Sequence, residues 1–152
     1  MDALISIKGT VFAENAQPDI IELITAGRYY TKDGKQYISY KESEVTGLEG
    51  VTTTLKVEGG DSVTLIRSGA AQSRLIIAKG QRQLCHYGTD YGDLMVGISG
   101  CHIDSKLGDV GGELSFNYTI DVNSSTVSQN EVSISVREAK TQDVKSDQYS
   151  CQ

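Results

Sequence analysis

The chain has 152 residues, which is the length of one domain with a single hydrophobic core. Its 14 basic and 20 acidic residues give a formal net charge of −6, which disfavours nonspecific binding to nucleic acid. The N-terminus lacks the features of a signal peptide, and no apolar run approaches the roughly 18 residues that a membrane-spanning helix needs. We therefore expect one cytoplasmic domain that binds neither nucleic acid nor membranes.

Apolar and polar residues alternate with period two along most of the chain, and this pattern predicts β-strands. In chain order, the apolar positions of the clearest strands are Ile5, Ile7 and Val11; Val51, Leu55 and Val57; Leu94, Val96 and Ile98; Leu114, Phe116, Tyr118, Ile120 and Val122; and Val132, Ile134 and Val136. We expect one face of each strand to be buried and the other to face water.

Glycine and aspartate punctuate these strands at the predicted turns. The sequence KDGK at residues 32–35 places Asp33 and Gly34 at the centre of a hairpin, where a type I′ turn needs positive φ twice. Further turns are predicted at residues 58–61 and 89–92, with a glycine-rich break at 108–112. Short turns between successive strands indicate an antiparallel meander.

A meander of this size predicts a closed barrel. A flat sheet would leave two exposed edges and one uncovered apolar face, both of which closure removes. The predicted fold is therefore all-β: a closed up-and-down antiparallel β-barrel of about eight to ten strands. We assign residues 1–138 to a single barrel domain and residues 139–152 to a polar C-terminal tail.

The two-residue turn at Asp33 and Gly34 fixes the register of the first hairpin. It pairs Tyr29 with Ile38, Gly27 with Tyr40, and Thr25 with Glu42, all on the inward face. Glycine at position 27 then leaves room for the ring of Tyr40.

The second hairpin places a charge inside the barrel. Only an odd loop at residues 59–61 matches Val57 with Val63 and Leu55 with Leu65, and it then sets Thr53 opposite Arg67. Arg67 is therefore predicted to lie inside the barrel or at its rim. We favour a buried ion pair between Arg67 and Glu42, because an unpaired inward charge is costly. The alternative is a hydrated Arg67 that awaits an anionic ligand.

These same hairpins carry a resemblance to a known family. The ordered motifs TAGRYY (25–30), YISYKE (37–42), TTTLKV (52–57) and RSGA (67–70) resemble those of the YwiB-like family, small uncharacterised bacterial proteins of unknown function. The resemblance implies a calycin-like β-barrel, a group that includes the lipocalins, and no established activity. Many lipocalins open with a Gly-x-Trp signature, but this chain has no tryptophan, so lipocalin-like transport is not implied.

Metal binding and nucleophilic catalysis find little support in the sequence. Cys85-His86 and Cys101-His102 could suggest a metal site, but adjacent strand residues point to opposite faces, so each pair can offer only one ligand. We interpret Cys85, Cys101 and Cys151 as free thiols, because an odd number without framework spacing is typical of a reducing compartment. No nucleophile elbow or phosphate-binding loop is present, and we predict no cofactor, metal or catalytic residue.

Three functional hypotheses follow, and we favour small-molecule binding in the barrel interior or mouth. The predicted ligand-binding residues are the polar and aromatic side chains expected to point inward: Thr25, Tyr29, Tyr40, Glu42, Thr53 and Arg67. The first alternative is a structural or interaction protein with a filled interior, such as a homodimer that uses exposed Tyr30 and Tyr37 beside Arg28. The second is an enzyme of unknown reaction.

Overall fold

The structure is a computed structural model that describes residues 1–14, 16–43, 48–70, 72–89 and 92–139. Within these residues it contains ten β-strands: β1 (Asp2–Phe12), β2 (Asp19–Lys32), β3 (Lys35–Lys41), β4 (Val51–Glu58), β5 (Ser62–Gly69), β6 (Ser73–Ala78), β7 (Arg82–Thr89), β8 (Gly92–Gly108), β9 (Gly111–Val122) and β10 (Ser125–Glu138). No helix long and apolar enough to cross a membrane is found among them. The tail predicted from residue 139 onward, with Cys151, lies outside the described residues except for Ala139.

The strands form a closed antiparallel barrel in which each strand pairs with its neighbours in sequence. The barrel closes where β1 pairs with β10, over a ladder that runs from Ala3–Glu138 to Phe12–Gln129. This arrangement confirms the predicted all-β, up-and-down topology. The turn between β2 and β3 also has the predicted geometry, because Asp33 and Gly34 both have positive φ, at 54° and 77°.

The barrel interior is filled at one end and partly exposed at the other. Near the turns that follow β2 and β4, the inward side chains Tyr29, Ile38, Val57 and Val63 are at most 1% exposed. We call this the closed end. These residues belong to one apolar cluster that extends to all the remaining strands. Their burial supplies the main driving force for folding.

Towards the opposite end, which we call the open end, inward positions are more exposed. Ile21 is paired with Gly9 on the inward face and is 39% exposed, while Leu94, paired with Tyr87, is 49% exposed. A Cβ added to Gly9 would meet no other atom within 4 Å. The interior therefore has free space at the open end.

The contact between β6 and β7 is the weakest junction among the described strands. Their ladder consists of one pair, Ser73–Tyr87. Further along, the amide of Ile76 donates to the buried Sγ of Cys85 at 3.4 Å instead of to a backbone carbonyl. Just beyond the end of β6, the amide of Gly80 donates to the carbonyl of Gly100 on β8 at 2.9 Å. The Cys85 sulfur thus accepts a hydrogen bond that a backbone carbonyl of β7 would accept in a regular ladder.

On the outer face, an ion pair ties β7 to β9 across β8. The guanidinium of Arg82 donates to both carboxylate oxygens of Asp121, at 2.9 and 2.6 Å. The pair crosses directly over Gly97, where a Cβ would collide with both groups. Asp121 also accepts the amide of Ser124 at 3.2 Å, which supports the turn between β9 and β10.

This pair predicts a specific acid sensitivity. The hydrogen bonds from Arg82 hold the pKa of Asp121 below its ordinary value. A depressed pKa means that the pair stabilises the fold above the unfolded value of about 3.9 and that this contribution is lost as pH falls through the folded value. Asp121→Asn is therefore expected to be less stable than the wild type near neutral pH, with the difference shrinking in acid.

Urea titrations at a series of pH values measure this difference. Asp104→Asn is the matched control, because Asp104 is an exposed carboxylate on β8 that forms no ion pair with another described residue. A constant gap between Asp121→Asn and wild type across the acid range would contradict the prediction.

Candidate functional site

The predicted hairpin registers place Arg67 inside the barrel. Tyr29 pairs with Ile38, Gly27 with Tyr40, and Thr53 with Arg67, as the turn lengths require. Inward-facing residues then form one row across adjacent strands towards the open end: Gly27, Tyr40, Thr53, Arg67, Ser73, Tyr87 and Leu94. This row is the candidate functional site.

Arg67 is half-buried, and its buried Nε atom makes no hydrogen bond within the described part of the chain. None of the ion pairs found there includes Arg67, so the favoured pair with Glu42 is not formed within 4.0 Å. The reason is that register fixes only the face on which a side chain lies, while β3 ends at Lys41 and Glu42 lies just beyond it.

Glu42 is nevertheless held within the same region. It is 8% exposed, and its Oε1 accepts a hydrogen bond of 3.0 Å from the hydroxyl of Thr53, which is fully buried. Thr53 therefore lies beside Arg67 in the ladder and contacts Glu42 through its side chain. A carboxylate and a guanidinium share this part of the barrel without direct contact.

Two tyrosines face this pair of charges. Burial, with a smaller effect of the Glu42 carboxylate, raises the pKa of Tyr40 well above its ordinary value, and Arg67 opposes the shift. Burial likewise raises the pKa of Tyr118, and Arg67 again acts in the opposite direction. Both hydroxyls therefore stay protonated at neutral pH and can donate hydrogen bonds near Arg67.

Tyr29 and Thr25 are placed differently from the other predicted site residues. The hydroxyl of Tyr29 donates to the carbonyl of Gly108 at 2.6 Å at the closed end, away from the Arg67 row. The β2–β3 ladder ends at Gly27–Tyr40, so it does not contain the predicted Thr25–Glu42 pair. The Thr25 hydroxyl instead donates to the carbonyl of Ala26 at 3.3 Å.

Gly27 does provide the close approach that its sequence position suggests. A Cβ there would lie 3.1 Å from Cβ of Tyr40 and would collide with the backbone carbonyl of Ser39. The tight contact comes from the neighbouring backbone as well as from the aromatic side chain, which sequence alone did not indicate.

A surface groove of about 590 Å³ lies elsewhere, on the outside of the barrel. Its floor carries serines of β1, β9 and β10, and its walls carry longer side chains such as Ile24 and Lys106. Arg67 does not line it. Because its charged groups have both signs and it has no aromatic residue, we assign it no function.

The two cysteine–histidine pairs are also separate. Cys85 is buried and His86 is exposed, as adjacent strand residues on opposite faces should be, whereas Cys101 and His102 are both exposed at a bulge in β8. Cys85 and Cys101 are both free thiols. Among the residues that the structure describes, no three or more His, Cys, Asp or Glu side chains are grouped to hold a metal ion.

The absence of an Arg67–Glu42 contact has a measurable consequence. Removing one partner of a direct buried ion pair costs roughly 3 to 5 kcal/mol. Arg67→Met instead removes a buried donor that has no acceptor, and it should change the free energy of unfolding by less than about 1 kcal/mol or raise it. Chemical denaturation of the ligand-free protein measures this change. A loss of about 3 kcal/mol would instead support a direct ion pair between Arg67 and Glu42.

Comparison with known proteins agrees with the fold. The sequence model of DUF1934, a domain of unknown function, matches residues 5–134. The uncharacterised β-barrel protein YwiB of Bacillus subtilis (strain 168) is 32% identical over 113 residues, covering 74% of this chain and 78% of that protein. The crystal structure of the ywiB protein from Bacillus subtilis matches with a TM-score of 0.79 and 27% identity, over 91% of this chain and 92% of that chain.

Proposed function

The chain belongs to the DUF1934 family of uncharacterised β-barrel proteins, and we propose that it binds a small organic anion at the open end of its barrel. The observation that carries the proposal is Arg67, whose inward guanidinium has a buried Nε without a hydrogen-bond partner. An unmade hydrogen bond at a buried group costs about 1 to 3 kcal/mol. A carboxylate or phosphate group on a ligand would supply the missing acceptor, and guanidinium geometry suits both groups.

The surroundings of Arg67 suggest how such a ligand is oriented. Ser73 and Tyr87 accompany Arg67 in the row and offer hydroxyl groups on one wall. The other wall is apolar, with partly exposed Ile21 and Leu94 facing inward. A few converging polar groups within an apolar lining are typical of small-molecule sites. The favoured ligand therefore has one anionic group and an apolar body.

Glu42 adds a constraint on the ligand. Its carboxylate lies in the same region and accepts from Thr53, so a second anionic group placed near it would be repelled. We therefore expect monoanions to bind better than dianions of similar size. An amine or hydroxyl group on the ligand would be tolerated on the Glu42 side.

We place this activity in the cytoplasm. Support comes from Cys85 and Cys101, both of which are free thiols, since unpaired cysteines suit a reducing compartment.

A thermal-shift screen tests the proposal. Wild-type protein is heated with a panel of aliphatic and aromatic monocarboxylates, their dicarboxylate analogues and phosphate monoesters. A ligand at 100 times its Kd should stabilise the folded state by about 2.7 kcal/mol, which raises Tm by several degrees. Arg67→Met should abolish the shift.

Arg74→Met is the matched control, because Arg74 lies on the neighbouring strand β6 with an exposed, outward side chain. It should retain the full shift. If no monoanion stabilises the wild type, or if both arginine variants lose the shift equally, binding at Arg67 is refuted. The structural hypothesis, a barrel without a ligand, would then be favoured.

A further inference from the structure

The outer surface of β2 to β6, half of the strands of the closed barrel, carries more positive than negative side chains although the chain as a whole is acidic. Alternation along β2 to β6 turns five basic side chains outward: Arg28, Lys32, Lys41, Lys56 and Arg74. We call these five the basic face. None of them forms an ion pair with another described residue. Two carboxylates lie beside the basic face: Glu58 on β4 is paired with Lys35 at 3.1 Å and also interacts with Lys56, and Asp2 on β1 lies opposite Arg28 in the β1–β2 ladder.

An aromatic pair lies in the middle of the basic face. The rings of Tyr30 and Tyr37 stack with their centroids 4.9 Å apart and their planes 9° from parallel. In the ladder, Tyr37 pairs with Lys56, and the next outward row begins with Arg28. Tyr30 is exposed. Aromatic rings among unpaired cations are the elements that stack bases and neutralise phosphates.

The charge distribution argues against a second copy of the chain as the occupant. In a twofold-symmetric dimer the same patch meets itself, so five cations would face five cations. Such like-charge juxtaposition is costly. The basic face therefore favours an anionic partner over a second copy of this chain.

The size of the face favours a strand of nucleic acid over a folded protein. Five neighbouring strands span about 19 Å at their usual spacing, and Lys35 to Lys41 covers about 20 Å along β3. The product, about 400 Å², is half of the roughly 800 Å² that one partner buries in a standard protein interface. The outer surface of a barrel is also convex, and a flexible single strand can follow it.

We propose that the basic face binds a short single-stranded nucleic acid of about six nucleotides, with its five internucleotide phosphates on the five cations and a base against the Tyr30–Tyr37 stack. The net charge of −6 opposes long-range attraction, so binding is local, weak and strongly dependent on salt. This inference is independent of the anion site inside the barrel.

Fluorescence anisotropy tests it with two probes, a labelled oligouridylate and a labelled oligothymidylate a dozen nucleotides long. At low salt both should bind, and log K should fall against log salt with a slope of about −3.5, which is 0.7 for each of five phosphates. Arg28→Gln and Arg74→Gln should each reduce that slope by about 0.7. Tyr37→Leu should weaken binding about 5-fold or more by removing the stacking platform.

Matched controls come from the opposite outer face. Lys8→Gln and Lys106→Gln remove exposed cations outside the basic face, and both variants should bind as the wild type does. Near-ultraviolet circular dichroism confirms that each variant is folded.

Three results would overturn the proposal: no anisotropy change at low salt, equal weakening by the control variants, or equal competition by an oligoglutamate of the same length. The last result would assign the face to an acidic polypeptide instead.

Discussion

Gly112→Ala is expected to destabilise the barrel by about 4 kcal/mol. Gly112 has a φ of +138°, a conformation that L-residues rarely adopt and that costs about 1 to 3 kcal/mol. An added Cβ would also collide with the carbonyl of Lys106 across the β8–β9 hairpin and lie 3.2 Å from Cα of Leu107. Neither contact is with a flexible side chain, so backbone must move, and overpacking of this kind adds about 1 to 3 kcal/mol.

Gly9→Ala is the control, because Gly9 lies in strand β1, where no atom would come within 4 Å of the new Cβ. Its free energy of unfolding should change by less than about 1 kcal/mol, in the stabilising direction if at all. Urea denaturation measures both variants. A difference between them smaller than about 1 kcal/mol would show that the β8–β9 hairpin is not rigid.

Tyr29→Ala is expected to cost about 3 to 5 kcal/mol, as removal of a large buried aromatic usually does. Tyr29 is 1% exposed, and burial together with the Asp109 carboxylate raises the pKa of its hydroxyl, which remains a donor to Gly108. Tyr29→Phe keeps the ring and leaves the Gly108 carbonyl without this donor, so it should cost about 1 to 2 kcal/mol.

The same two variants separate stability from binding. Tyr29 lies at the closed end, so Tyr29→Phe should keep the full thermal shift with any monoanion that stabilises the wild type. If Tyr29→Phe remains folded but loses the thermal shift with a monoanion, Tyr29 belongs to the ligand site, as the sequence analysis predicted. Denaturation and the thermal-shift panel together give the two readouts.

Strand pairing was predictable from sequence wherever a turn fixed the register. The Asp33-Gly34 turn and the odd loop at 59–61 gave the observed pairs Gly27–Tyr40 and Thr53–Arg67, because side-chain alternation leaves only one register that buries the apolar set. The sequence also identified the inward Arg67, since a charge on an apolar face is conspicuous.

The prediction that failed was the direct contact between Arg67 and Glu42, which was inferred from their shared inward face. Arg67 and Glu42 share the interior, but their separation depends on where β3 ends and on the path of the chain beyond it, which no pattern of period two encodes. Arg82 and Asp121 show the converse. They lie far apart in sequence and meet only because Gly97 lets them cross β8, so only the assembled sheet reveals them.

The basic face was missed for a similar reason. Net charge is a sum over the whole chain, whereas Arg28, Lys56 and Arg74 come to the same side of the barrel only when β2 to β6 assemble into one sheet. The net charge of the chain disfavours nucleic acid as a partner, but the fold distributes that charge unevenly over the surface, and only a binding measurement decides between the two expectations.

The closure of the barrel by β1 and β10 also constrains how the protein is made. Because β1 pairs with β10, from Ala3–Glu138 to Phe12–Gln129, the first strand synthesised gains its second partner only after the last strand has left the ribosome. Until then the growing sheet has two open edges and an apolar face exposed to other chains. Pairing over such a sequence distance gives a high contact order, so the final step is slow. The barrel can therefore close only after β10 has been synthesised, and the nascent chain depends on protection from aggregation until then.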